Sequence, residues 1–321
     1  HHQHGKTPYI ALSYVWGDAD NQVPILVNNV KLLVRQNLNL ALAKLRQERP
    51  EAWIWVDAIC IDQAHDDEKS WEVNRMRDVF QKAETVFHWL GPAADDSDFL
   101  LDWVADLGRE ASEADVLGFH PPNLSSYRMS KAMEALLQRP FFQRLWIVQE
   151  LAVSQNGVFL CDSRQLPVDY LESVLALTNR RLPEQTSRIL DDLIAKANCD
   201  TTSHRWLGGF NRNLIDNPGL MVRRRRHQGD FPSLLSILKC SIATFEMPIF
   251  ATADPRDLVF GLLGICRDAS SLNLRVDYTK SIVQVFTTVT RAFIHNDKEY
   301  CLGFSTFPKD LDGLPSWVPD W

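Results

Sequence analysis

Between residues 9 and 161 the sequence switches repeatedly between short β-rich apolar runs and stretches of helical periodicity, a rhythm that commits this part of the chain to an α/β fold. Tyr9–Val15 reads as a strand ending at the turn signal Trp16-Gly17-Asp18. A hairpin is expected around Pro24–Val30, with Asn28-Asn29 at its turn. Asn37 then caps a helix carrying Leu38, Leu42 and Leu45, stopped by Pro50, and Trp53–Val56 reads as a strand covered on both faces. The pattern repeats: a helix capped by Asp67 or Ser70 carries Val73, Met76, Phe80 and Ala83, and Thr85–Leu90 is a strand closed by Gly91-Pro92. A helix from about Ser126 to Pro140, another over Phe141–Val153 and a strand at Val158–Cys161 complete the unit. Helices that return the chain across its sheet imply mostly parallel strands with helices on both faces.

About 92–139 is an acidic helical insertion opening at a Ser97 cap, in which Asp95, Asp96, Asp98, Asp102, Asp106, Glu110, Glu113 and Asp115 face only Arg109; the spacing is not that of a calcium loop, and a solvated face is expected. Beyond Asp162 helical patterns dominate, over Tyr170–Thr178, Glu184–Ala197, Phe231–Thr244, Pro255–Cys266 and Ser281–His295. The division expected is therefore 1–162 for the α/β domain and 163–321 for a mainly helical C-terminal domain, consistent with 321 residues at roughly 150 per domain. The basic run Arg223–Arg226 reads as a solvated loop, and His1, His2 and His4 as a tag remnant or loose terminus.

Composition narrows the function classes. With 34 basic and 41 acidic side chains the formal charge is −7, which disfavours DNA as a partner. No apolar run approaches the roughly 20 residues of a membrane span, and the start lacks a signal-peptide layout. The six cysteines are scattered without CxxC spacing, as expected of reduced thiols in a cytoplasmic protein with no metal site. Neither GxxxxGK[ST] nor GxGxxG is present, and GxSxG and HExxH are missing as well.

In parallel sheets ligands gather at the carboxyl ends of strands. That rule selects Ser13, Tyr14, Trp16, Gly17 and Asp18 after the first strand, and Asp57 with Asp62 and Gln63 after Trp53–Val56. The two carboxylates admit either a metal-dependent phosphotransfer site or a structural turn in which Asp57 accepts backbone hydrogen bonds. Phe141–Leu151 is apolar almost all round, and within it Trp146 and Glu150 share a face four residues apart. A glutamate there must be paired, protonated or turned to a cleft. His88, inside a strand, reads as a core histidine. Of the ten tryptophans, Trp53, Trp55, Trp71 and Trp89 fit the sheet core, while Trp16 and Trp146 are expected to face a ligand.

Taken in order, Tyr9–Asp18, Trp53–Gln63, the stretch from Glu72 through Met76 and Ala83 to Gly91, and Arg144–Glu150 resemble the successive motifs of the fungal heterokaryon incompatibility (HET) domain. Asp254-Pro255-Arg256-Asp257, Gly261–Gly264, Val276-Asp277-Tyr278 and Leu314–Trp321 resemble segments downstream in many such proteins, and the last looks like the middle of a motif in a longer parent. Asp62 stands where the family more often has Asn. The resemblance implies a role in non-self recognition and regulated cell death. It extends more distantly to TIR domains, flavodoxin-like modules some of which cleave NAD. On that likeness Glu150 is the catalytic carboxylate, Trp146 and Trp16 stack on the nucleotide, and Ser13, Tyr14, Gly17, Asp18 and Asp57 line it. NAD is then the substrate, with no cofactor required, and a homo-oligomer is the active form. The helical C-terminal region is a candidate surface for a protein partner. The rival reading is a non-catalytic signalling and self-association module in which Glu150 closes a buried ion pair.

Overall fold

A computed structural model describes residues 7–113, 127–171, 231–243 and 252–321. His1–His4, the helical pattern over 184–197, most of that over 170–178, and the basic run at 223–226 lie outside the described residues. The sheet strands are β1 (Ile10–Ser13), β4 (Ile54–Trp55), β5 (Thr85–Gly91), β6 (Gly157–Cys161) and β7 (Arg164–Pro167), after a hairpin of β2 (Gln22–Val27) and β3 (Val30–Arg35). They lie side by side as β4-β1-β5-β6-β7; the first four are parallel, and β7 turns back antiparallel along β6. Counted along the sheet alone this is the order 2-1-3-4-5 of flavodoxin-like doubly wound sheets, in which winding reverses between the first and third strands and opens a crevice at their carboxyl ends. The α/β architecture expected from the alternation is present, and the sheet continues past Asp162 through β7.

Alternation along the strands decides which helices cover which face. Ile10, Leu12, Phe87, Trp89 and Leu160 point to α1 (Gln36–Glu48), whose Leu38, Ala41 and Leu45 are buried against them. Ala11 and Val86 point the other way, toward α3 (Asp66–Lys82) and α6 (Trp146–Val153). Further along that face Leu90, Phe159 and Cys161 pack with α4 (Ser97–Glu113) and α5 (Tyr127–Leu137). Within the acidic insertion α4 buries Leu100, Leu101 and Val104 and turns Asp102 and Asp106 to solvent. Asp102 is paired with Arg164 of β7 at 3.0 Å.

The described C-terminal elements are α7 (Leu234–Ala243), α8 (Asp257–Leu263), α9 (Ala269–Leu272) and α10 (Ile282–Ile294), preceded in the chain by the short α2 (Asp57–Cys60). Helix α10 opens on a capping box, in which Ser281 and Gln284 each satisfy the other's backbone N–H. Val259, Phe260, Phe286, Val289 and Phe293 belong to the same hydrophobic cluster as Ala11, Phe80, Val148 and Val86, so the described C-terminal helices are continuous with the core over one face of the sheet.

Several expectations require correction. Asn37 lies inside α1 and is not its cap: its side chain donates to Val15 O at 2.6 Å and accepts from Trp89 Nε1 at 2.9 Å. The run Trp53–Val56 is not covered on both faces, because β4 is a two-residue edge strand and Trp53 is 69% exposed. Trp71 is likewise at the surface, 58% exposed, with the Arg75 guanidinium over its ring. Helix α3 has no side-chain cap from Asp67 or Ser70. Phe141 and Phe142 form a 3₁₀ turn (Pro140–Gln143), so α6 starts only at Trp146. The Asn28-Asn29 turn is as expected: both residues have positive φ, 50° and 64°, the geometry that matches the twist of a two-residue hairpin.

Candidate functional site at the carboxyl end of the first strand

Ser13 is the last residue of β1 and faces α6, as its parity with Ala11 requires. Its hydroxyl donates to Glu150 Oε2, joining the end of the strand to the middle of the helix. Both are buried, Ser13 at 1% exposure and Glu150 at 3%. Removal from water pushes the Glu150 carboxyl up to about 7, against the opposing pull of the nearby Arg144 charge and of the Ser13 hydroxyl. The other carboxylate oxygen, Oε1, accepts no hydrogen bond from the described residues. Arg144, just before α6, donates through Nη1 to the carbonyl of Tyr14 and so ties the same two elements a second time.

The loop after β1 is held from three sides. Trp16 Nε1 donates to Asp57 Oδ2 at 2.8 Å, linking the carboxyl ends of the adjacent parallel strands β1 and β4. The Arg35 guanidinium lies 5.1 Å from the Trp16 ring centre and donates to Gly17 O at 2.6 Å. Gly17 turns with φ +78°, and a Cβ there would stand 3.3 Å from the Asn37 Cβ, so glycine answers both the turn and the close approach. Tyr14 is 2% exposed; burial and the neighbouring Asp57 raise its phenol above the ordinary range.

Of the residues selected from sequence, Ser13, Trp16, Gly17, Asp57 and Glu150 are brought into one connected cluster, and Tyr14 joins it through its backbone carbonyl and through its phenol beside Asp57. Asp18 stands apart, exposed, with its carboxylate accepting from Asp20 N at 3.0 Å. Trp146 is partly buried: its indole N–H is directed at Asp257 Oδ2, 3.2 Å away, and its ring packs against the core. Asp57 and Asp62 do not form a metal pair. Asp62 is at the surface, where it accepts from Ala64 N and pairs with His65 at 2.5 Å, while Asp57 Oδ1 accepts from Ala58 N at 2.7 Å. Among the described residues no three histidine, cysteine, aspartate or glutamate side chains gather as a metal site. His88 is fully buried among Phe141 and Phe159, a core histidine as expected.

Four residues that the sequence reading did not assign to the site complete the arrangement: Arg35, Asn37 and Arg144, which fix the loop, and Asp257, which holds Trp146. Arg144 stood within a motif, but its contact to a backbone carbonyl 130 residues away has no spacing signature. A cavity of about 410 Å³ lies elsewhere, between α8 and α10, and is lined by none of the cluster residues.

Residues 9–150 match the family described as "Heterokaryon incompatibility protein (HET)". Over 98% of its length the chain is 30% identical to heterokaryon incompatibility protein 6, OR allele, of Neurospora crassa, of which it spans 53%. No solved structure matches the chain. The matched segment starts just before β1 and ends on Glu150 itself, so the family pattern covers the strand end, the Asp57 turn and the helix that meet in the cluster. Residues 9–150 belong to the heterokaryon incompatibility (HET) domain family.

Proposed function

We propose that this chain is the HET-bearing part of a fungal heterokaryon-incompatibility effector of regulated cell death, and that its Glu150 cleaves the nicotinamide–ribose bond of NAD. The similarity to heterokaryon incompatibility protein 6 of Neurospora crassa supports the incompatibility role. The observation that carries the second is the state of Glu150: it is buried at the carboxyl end of β1, with one oxygen bonded by Ser13 and the other without a donor among the described residues. The flavodoxin-like strand order, in which this position is the ligand crevice, agrees with a TIR-like reading.

The chemistry asks little of the protein. Nicotinamide departs as a neutral base from a cationic pyridinium, so no general acid is needed. Water adds to the anomeric carbon, giving ADP-ribose and a released proton. What remains is to stabilise an oxocarbenium-like ribose, which one carboxylate held close to the ribose hydroxyls does electrostatically. The free Oε1 is the atom placed to accept such a hydroxyl, and the Trp16 face offers a stacking surface for the nucleotide. At 3% exposure Glu150 is reached only once the cluster loosens, which fits activation by self-assembly of the HET domain in the cytoplasm.

A second reading rests on that same burial: a non-catalytic signalling and self-association module in which Glu150 and Arg144 lock α6 to β1. Incubation of concentrated, oligomerised protein with NAD separates the two. Nicotinamide release by the wild type, unaffected by chelator and lost in a folded Glu150→Gln variant, is expected. No release at any concentration, together with unfolding of Glu150→Gln, establishes the structural reading instead.

A further inference from the structure

Residues 254–280 form a polar clasp that the proposed reaction leaves unexplained. Arg256 grips Asp254 with Nε and Nη2, the latter at 2.6 Å, and donates through Nη1 to the carbonyls of Tyr278 at 2.6 Å and Lys280 at 2.8 Å. That brings the loop ahead of α8 against the loop ahead of α10. The Tyr278 backbone N–H donates to Ser70 Oγ at 2.8 Å, and Asn74 exchanges two hydrogen bonds with the Val276 backbone, so the clasp is also seated on α3. At its centre is Asp257, whose Oδ1 accepts from the Tyr278 hydroxyl at 2.6 Å and whose Oδ2 accepts from Trp146 Nε1 at 3.2 Å.

Trp146 is the first residue of α6, and Glu150 follows one turn later. The two helices meet closely: a Cβ on Gly261 would stand 3.2 Å from Leu145 Cδ2, and one on Gly264 would overlap the Gln149 side-chain carbonyl. Leu145, Trp146 and Gln149 are thus held by α8 on one side, while Glu150 meets β1 on the other. A short helix moves as a rod, so the point at which Trp146 is tied sets where the Glu150 carboxylate lies relative to Ser13.

We propose that Asp257 is a positioning residue for Glu150: by fixing the Trp146 indole it sets α6 against β1, and the 254–280 clasp is the route by which the C-terminal half governs the site. The proposal deepens the reading of Glu150 given above and rests on it for the reaction, though not for the placement of the helix. Misplacement of a reacting group by about 1 Å costs on the order of 100-fold in rate. Loss of one tie among several is expected to cost less.

The test uses the chain with Trp146→Phe, which removes the indole donor and keeps an aromatic ring, with Asp257→Asn, which leaves one acceptor oxygen where there were two, and with Tyr278→Phe, which removes the donor that does not lie on α6. Two readouts are taken on each: titration of the Glu150 carboxyl followed by carbon-13 NMR, which needs no substrate, and kcat and KM for nicotinamide release. Trp146→Phe and Asp257→Asn are expected to lower the Glu150 midpoint by at least one pH unit, because a loosened helix admits water. They are also expected to cut kcat about tenfold with KM changed less than twofold. Tyr278→Phe, which frees one oxygen of Asp257 but keeps its bond to Trp146, should show smaller changes of both kinds, even where its melting temperature falls equally. A Glu150 titration in Trp146→Phe that coincides with the wild type overturns the proposal, as do changes in all three variants that merely follow their loss of stability. Absence of nicotinamide release from the wild type defeats the NAD reading alone, and the carboxyl titration then decides the positioning role by itself.

Discussion

Two carboxylates flank α6, Glu150 buried and Asp257 partly buried, and they are treated differently. Asp257, on the C-terminal side, has both oxygens occupied by neutral donors from its own chain, the Tyr278 hydroxyl and the Trp146 indole. Glu150, on the sheet side, has one oxygen occupied by Ser13 and no donor to the other among the described residues. Burial raises both above the ordinary carboxylate range. A structural carboxylate in a core is completed by donors, since each unsatisfied group costs free energy. One left half-completed at the crevice of a doubly wound sheet suits the role proposed for Glu150. On that proposal the contrast separates a joint of the fold from a site built on it.

Substitution is expected to divide the pair most sharply. Glu150→Gln should lower nicotinamide release by roughly 100- to 1,000-fold, the loss typical of one preorganised electrostatic group, with the melting temperature within a few degrees of the wild type. Asp257→Ala should instead destabilise the fold by roughly 1–3 kcal/mol for each donor left unsatisfied, read as a shift in urea midpoint. Equal losses of stability in the two variants would erase the distinction.

Acidity gives the next effect. Because the folded-state value of Glu150 is raised from 4.5 to about 7, its contribution to stability is fully present below pH 4.5 and is lost as pH rises through 7, a span worth on the order of 3 kcal/mol. Urea unfolding of the wild type between pH 4.5 and 8 should therefore show a decline that Glu150→Gln lacks. Nicotinamide release, which needs the carboxylate, should run the opposite way and level off above pH 7. Parallel stability profiles for the two proteins would place the titration elsewhere.

The smallest effect concerns tryptophans outside both regions. Trp53→Ser and Trp71→Ser, at 69% and 58% exposed positions, should each change stability by about 0.5 kcal/mol or less in the same urea experiment. A loss of several kcal/mol at either would mean that this surface is covered in the folded protein.

That last case also marks how far the sequence could be read. Strand and helix alternation, the Asn28-Asn29 turn, the Gly91 stop and the helical pattern from Ser281 are local, and local chemistry announces them. The sheet order is not local, so Trp53–Val56 looked like a central strand although β4 lies at the edge, where Trp53 meets water. Ser13, Trp16, Asp57 and Glu150 were legible as a set because strand ends collect ligands and because the motifs occur in the order of the HET family. The partner of Trp146 was not legible. A tryptophan one turn before a glutamate suggests a shared ligand, but the indole is claimed by an aspartate 111 residues further on, and no periodicity encodes a contact of that kind. Asn37 teaches the same lesson: its position favoured a helix cap, and the tertiary contacts to Val15 and Trp89 took its side chain instead.

The most direct measurement is the titration of the Glu150 carboxyl carbon in the intact wild-type chain, alone and with saturating NAD. A midpoint near 7 that moves when NAD is added is expected of a buried carboxylate whose open oxygen meets the substrate. A midpoint near 4.5, unmoved by NAD, would contradict both the closed environment assigned to Glu150 and its role in the reaction.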